Sequence, residues 1–153
     1  MLLYLVRHGE ALPGLIDAQR PLSEKGLQDA EKLAGFFKKN NIQVSAIFQS
    51  GLKRAKETAE IISKGLGKDL SVTIMNSLAP EDPVQPICKD LENRTKDIML
   101  VGHLPSLASL VSQLLLGSEK DEIVDFKKGA VIVLERDKDK TWKIRWFLTP
   151  KQL

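Results

Sequence analysis

Two histidines are the whole imidazole complement of this 153-residue chain, and they occupy matching positions. His8 follows the apolar run Leu2 to Val6 and Arg7, and precedes Gly9. His103 follows the apolar run Ile98 to Val101 and Gly102. A strand built for a core that ends on groups water wants is either an ordinary rim or the floor of a site. Arginines favour the second reading. Arg7 precedes the first histidine, Arg54 falls in the first turn of a helix expected to start near Ser50, and Arg20 lies in the long loop crossing the same edge. Helical side chains lean towards the helix N-terminus, so Arg54 can point to the strand ends. The helix N-terminus itself offers unpaired N–H groups to an anion. Arginine's planar fork matches phosphate oxygens in pairs. Singly, each residue has a plainer explanation: a histidine bonded to backbone, a solvated surface arginine. Together they suit a phosphoryl group. No third histidine exists and the carboxylates show no ligand spacing, so no metal is expected. No Gly-rich loop ends in Lys-Ser or Lys-Thr, which argues against nucleoside-triphosphate chemistry.

The elements that must position these groups alternate β-like and helical runs. Leu2–Arg7 reads as a buried strand and Glu10–Pro21 as a loop. Ser23 caps a helix running to about Asn40, with Leu27, Ala30, Ala34 and Phe37 at helical spacing. Ala46–Gln49 is a second strand, ending at Ser50. The following helix buries Leu52, Ala55, Ala59, Ile62 and Leu66, and stops at Gly65 and Gly67. Leu70–Ile74 is a third strand. Pro83 and Pro86 open a helix whose apolar face is Val84, Ile87 and Leu91. Ile98–Val101 is a fourth strand, and Pro105 opens an almost wholly apolar helix to about Leu116. Ala130–Glu135 and Thr141–Leu148 form a C-terminal hairpin across Arg136–Lys140. This order predicts an α/β fold: a single three-layer domain over residues 1–153, with a mostly parallel central sheet and helices on both faces. Ligands then bind beyond the carboxyl ends of the strands, where Arg7, His8, Ser50, Gly102 and His103 all fall.

Composition narrows the classes. Hydrophobic residues make up 42% and charged residues 28%, as in ordinary soluble domains, and a net charge of +3 leans only mildly towards an anionic ligand. The lysines and arginines of the hairpin, Lys127, Lys128, Lys138, Lys140, Lys143 and Arg145, are mixed with acids and read as a solvated surface, so no nucleic-acid partner is expected. The single cysteine, Cys88, forms no internal disulfide and reads as a small core residue. The apolar start is too short for a signal-peptide core and lacks a basic leader, and no segment approaches the roughly 20 apolar residues of a membrane span. A cytoplasmic monomer, with no membrane association, is the expectation.

Four segments in order carry a resemblance. "LVRHGEA" resembles the signature of the histidine phosphatase superfamily, which has the phosphoglycerate-mutase-like fold. "SGLKRAKETAEII" is similar to that superfamily's Ser-x-Leu-x-Arg-Ala-x-x-Thr-Ala segment, and "LVGHLPSL" to its second Gly-His segment. "DAQRPLSEKG" is similar to the Arg-Pro-Leu-Ser/Thr-x-x-Gly segment of the small SixA-type phosphohistidine phosphatases. The resemblance implies that His8 is the nucleophile, that Arg7 and Arg54 clamp the phosphoryl oxygens, and that His103 donates a hydrogen bond to the same group. It implies a further clamp at Arg20, with Ser50 counted beside it as substrate-binding, and no cofactor. Physical chemistry agrees: a neutral imidazole can attack phosphorus, and neighbouring arginines depress its pKa and keep it unprotonated.

Larger relatives place a glutamate to protonate an alcohol leaving group. Here the candidates for a general acid are Glu81 and Asp82, which also read as helix-start carboxylates. A missing acid suits phosphohistidine, because imidazole leaves well once protonated. The leading expectation is therefore a phosphatase in signal transduction, hydrolysing phosphohistidine on a histidine-containing protein such as a phosphotransfer domain and releasing phosphate. The alternatives are a small-molecule phosphomonoesterase and a non-catalytic phosphate-binding module.

Overall fold

Residues in β1 (Leu2–Arg7) alternate between two cores: Leu3 and Leu5 face one side of the sheet, Tyr4 and Val6 the other. The computed structural model describes residues 1–67 and 70–153. In it the same alternation recurs in β4 (Ile98–Gly102) and β5 (Val131–Arg136). Ile98, Leu100, Ile132 and Leu134 join the first core, and Met99, Val101, Val131 and Val133 the second. A strand buried on both faces reads as a continuous apolar run, which is why these three strands carry no polar residue until they end.

Six strands form one sheet in the order β3-β2-β4-β1-β5-β6, where β2 is Ala46–Gln49, β3 is Val72–Ile74 and β6 is Trp142–Leu148. β1, β2, β3 and β4 run parallel, while β5 and β6 run antiparallel and close the sheet as the expected hairpin. Helices α1 (Glu24–Lys39) and α2 (Lys53–Gly65) cover the Tyr4 face, and α3 (Gln85–Glu92) and α4 (Ser106–Leu116) the Leu3 face. Among the described residues, no helix is long and apolar enough to cross a membrane.

Three local expectations shift. α2 starts at Lys53, not near Ser50. Gly51 takes φ +91, outside the helical region, and Ser50 to Leu52 make a turn instead. β3 is shorter than Leu70–Ile74. On α1, Leu27 is exposed and Leu33 is buried in its stead, so the apolar stripe lies one turn further along. Ser23 caps α1 as expected, its Oγ accepting from the Gly26 N–H at 3.1 Å. Cys88 is half-buried and packs against the Leu3-side core.

Candidate active site

The register of the two central strands brings the histidines together. β1 and β4 are parallel neighbours with Arg7 opposite Gly102, and the His8 N–H donates to the Gly102 carbonyl at 3.0 Å. The residues after both strand ends therefore emerge side by side. The imidazole centroids of His8 and His103 lie 4.7 Å apart at 47°. Next in the sheet, β2 delivers Ser50, and α2 delivers Arg54 from its first turn. β5 is antiparallel, so its start lies at this same edge. The Gly129 N–H is shared between the Arg7 and His8 carbonyls at 3.1 Å each.

Hydrogen bonds fix the form of the His8 ring and seat that of His103. His8 Nδ1 stands 2.6 Å from the Gly9 carbonyl. A carbonyl can only accept, so Nδ1 carries the proton and Nε2 keeps a free lone pair. Ser50 Oγ accepts from the Leu52 N–H at 3.3 Å and lies 2.6 Å from His103 Nε2. A hydroxyl can donate or accept, so this contact holds the His103 ring in place with either nitrogen carrying the hydrogen. Among the described residues, His103 Nδ1 is buried without a partner, and so is Arg7 Nε. Arg7 is otherwise held by the Phe126 carbonyl, which accepts from Nη1 at 2.7 Å.

Arg54 is almost fully buried, and its grip comes from the loop after β1. Asp17 accepts from Arg54 twice, through its backbone carbonyl (3.0 Å) and its carboxylate (3.2 Å). Arg20 meets the other Asp17 oxygen at 3.1 Å, and its Nε donates to the Leu12 carbonyl at 2.9 Å. Asp17 thus bridges the two arginines, and they hold its carboxyl below the usual range, Arg20 more strongly. Thr58 ties the same region together: its Oγ1 donates to the Arg54 carbonyl at 2.7 Å and accepts from the Gly9 N–H at 3.1 Å. The segment after β3 also reaches this edge, since the Leu78 carbonyl packs against Gly102. On it, one Asp82 carboxylate oxygen accepts from the Ala79 N–H at 2.9 Å, while Glu81 is exposed.

Among the sequence candidates, Arg7, His8, Ser50, Arg54 and His103 thus meet at one rim, with Arg20 joined through Asp17. Glu81 and Asp82 stand on the neighbouring loop. Asp17, Thr58 and the Phe126 carbonyl were not singled out from sequence. Asp17 and Thr58 lie inside the quoted motifs, where Asp17 precedes Arg20 by three residues. A backbone carbonyl leaves no signal in a side-chain pattern.

Electrostatics keep both rings neutral. Burial, followed by the charges of Arg54, Arg7 and Lys128, pushes His8 down to about 4 against the pull of its Gly9 bond. Burial pushes His103 down to about 3, helped by His8 and the arginines. Desolvation outweighs the arginines that sequence reasoning credited. This makes a stability prediction with a definite sign. In the unfolded chain His8 takes a proton below the ordinary imidazole value of 6.5, whereas folded His8 resists until about 4. Stability should therefore fall as pH drops from 6.5 towards 4, by on the order of 3 kcal/mol from this ring. Denaturant melts across that range will read it, and His8→Ala should flatten the fall. A slope unchanged by His8→Ala would mean that His8 is freely protonated in the fold.

Comparison with known proteins agrees with this geometry. Residues 3–79 match the model of the histidine phosphatase superfamily (branch 1). An uncharacterized protein of Picosynechococcus sp. is 30% identical over 142 residues, which cover 88% of this chain and 84% of that protein. The structure of the protein histidine phosphatase SixA complexed with tungstate superposes with a TM-score of 0.88 at 23% identity, over 99% of both chains. The alpha-ribazole phosphatase from Shigella flexneri superposes with a TM-score of 0.78 at 19% identity, over 98% of this chain and 97% of that one. These structures share the fold, the phosphoglycerate-mutase-like α/β architecture expected from sequence. By the family match over residues 3–79, half of its length, the chain belongs to the histidine phosphatase superfamily, branch 1.

Proposed function

We propose that this protein is a phosphohistidine phosphatase acting on a phosphorylated protein. The observation that carries the reading is the arrangement around His8. A neutral ring has its Nε2 lone pair free, the His103 ring lies 4.7 Å away, and Arg54 and Arg7 are close enough for their charges to act on it. In the first step His8 Nε2 attacks phosphorus, the bond from phosphorus to the leaving group breaks, and that group departs with the electron pair. Three equatorial oxygens spread the charge, and Arg7, Arg54 and His103 meet it with donors already in place. In the second step water attacks phosphorus, the P–Nε2 bond breaks, phosphate leaves, and His8 returns to its neutral form. Arg20 adds positive charge at the outer side. Ser50 holds the His103 ring in place.

The leaving group decides the substrate. Asp82 is engaged in the turn at Ala79, and Glu81 is solvent-exposed. A carboxylate engaged in its own turn, or one facing solvent, is poorly placed to serve as a general acid. An alkoxide needs such an acid, whereas imidazole can arrive protonated. The SixA relative's name, protein histidine phosphatase, lends support; the alpha-ribazole phosphatase stands for the competing small-molecule reading.

The test is kcat/KM for wild type, Glu81→Gln and Asp82→Asn on a phosphohistidine peptide, an aryl phosphate and an alkyl phosphate. Phosphohistidine hydrolysis should change by less than about tenfold in both variants, well under the roughly hundred- to ten-thousandfold contribution of a general acid. Alkyl phosphates should be poor substrates of the wild type. Strong alkyl phosphatase activity that collapses in either variant would make a small-molecule phosphomonoesterase the better reading.

A further inference from the structure

Among the described residues eight large apolar side chains are exposed, and five of them gather at the catalytic edge. Leu12, Leu15 and Ile16 stand on the loop whose Asp17 holds Arg54. Ile74 ends β3 and packs beside Gly51, next to Ser50. Ile123 lies between Glu122, which lines a cleft with Leu104 and Pro105 just after His103, and Phe126, whose carbonyl holds Arg7. Leu15 is fully exposed, yet its loop is tied down: the Leu12 N–H donates to the Pro21 carbonyl at 2.9 Å, and Arg20 grips both Leu12 and Asp17. Scattered exposed leucines need no explanation, but apolar groups ringing a site do.

We infer that this rim is a docking surface for the folded protein that presents the phosphohistidine, with Leu12, Leu15 and Ile16 as its anchor. The inference rests on the functional reading above. Three features select that occupant. The apolar loop is continuous with the phosphoryl site, so whatever delivers a phosphoryl group to His8 passes over it. His8 and His103 are both buried, so a phosphoryl group on a protein reaches them only from a side chain that projects from the partner's surface. Arg20 and Lys128 add positive charge at this edge, Lys128 closely enough to act on His8, which complements acidic residues around the partner's histidine.

The experiment compares wild type with Leu15→Ser, Ile16→Ser and the double variant. The probes are a phosphotransfer protein phosphorylated on histidine, free phosphohistidine and an aryl phosphate. Leu116→Ser, at the far end of α4, serves as control. Loss of anchor side chains at a protein interface should raise KM for the phosphoprotein by about tenfold or more in the double variant. Rates on free phosphohistidine and aryl phosphate should stay within about twofold, and the control should change none of the three. Unchanged phosphoprotein kinetics in the double variant would overturn the docking surface while leaving the phosphohistidine reading intact. An equal fall on all three probes would show that the loop only supports the site, and would overturn it as well. A wild type inert on every form of phosphohistidine would remove the functional reading, and the partner with it. Sedimentation that shows a dimer dissociated by Leu15→Ser would assign the rim to a second copy of the chain instead.

Discussion

His8→Ala should retain its fold and lose turnover entirely, along with the covalent adduct. Wild type trapped with labelled substrate should yield a phosphohistidine, labile to acid and stable to base, and the variant should yield none. The size of the effect follows from the geometry. Among the described residues there is one other imidazole at the site, His103, and its Nε2 is engaged with Ser50. With that nitrogen committed to Ser50, His103 does not offer its Nε2 in place of that of His8. The substitution removes the bond from Nδ1 to the Gly9 carbonyl but keeps the backbone links that seat this residue: its N–H to Gly102 and its carbonyl to Gly129. Removing the ring relieves a buried base that resists protonation, so the variant should be no less stable at low pH than wild type. An active His8→Ala protein would sink the covalent mechanism. An adduct at His103 in the wild type would move the nucleophile there.

Arg54→Ala should lower kcat/KM by roughly a hundred- to a thousandfold, the usual cost of one preplaced donor to a developing oxyanion. Arg7→Ala and His103→Ala should fall in the same range. Arg54→Lys is the more instructive change. The guanidinium spends Nη1 on the Asp17 carbonyl and Nη2 on its carboxylate, and being planar it still has donors to turn on a phosphoryl oxygen. An ammonium has no plane to hold that orientation, so lysine should recover only part of the loss. A second readout separates charge from position. Arg54 is among the charges that hold both histidines down. Arg54→Ala should therefore raise the His8 pKa, visible as an upward shift of its imidazole resonances in a pH titration, whereas Arg54→Lys should leave it near its wild-type value. Wild-type rates in Arg54→Lys would place Arg54 outside the reaction.

Groups whose position follows from strand ends were legible in the sequence. His8 and His103 each terminate an apolar run, and parallel neighbours must present their carboxyl ends at one edge, so the pair was readable before any coordinate. Arg54 was readable because helical side chains lean back towards the helix start. Three things escaped. Phe126 reaches the site because β5 runs against its neighbours, which brings the start of that strand, rather than its end, to the reactive edge. Asp17 works through a carbonyl as well as a carboxylate, and loop conformation decides whether both can face one arginine. The start of α2 was misplaced because periodicity alone does not register the left-handed backbone at Gly51. The weight given to arginine charge on His8 was also too large, since burial is a property of the packed whole.

β1 has a further consequence, for how the chain comes into being. Both partners of β1 arrive late: β4 begins at Ile98 and β5 at Val131. During synthesis, the chain must have left the ribosome as far as Ile98 before "LLYLV" can form its first pair in the sheet, and as far as Val131 before it is flanked on both sides. Meanwhile the segment is apolar, uncharged and free of proline, the composition that pairs readily with strangers. The strand that carries the reactive histidine is thus also the one most in need of shelter in a nascent chain. Because loop closure over such separations is slow, the histidines meet only when nearly the whole sheet has formed.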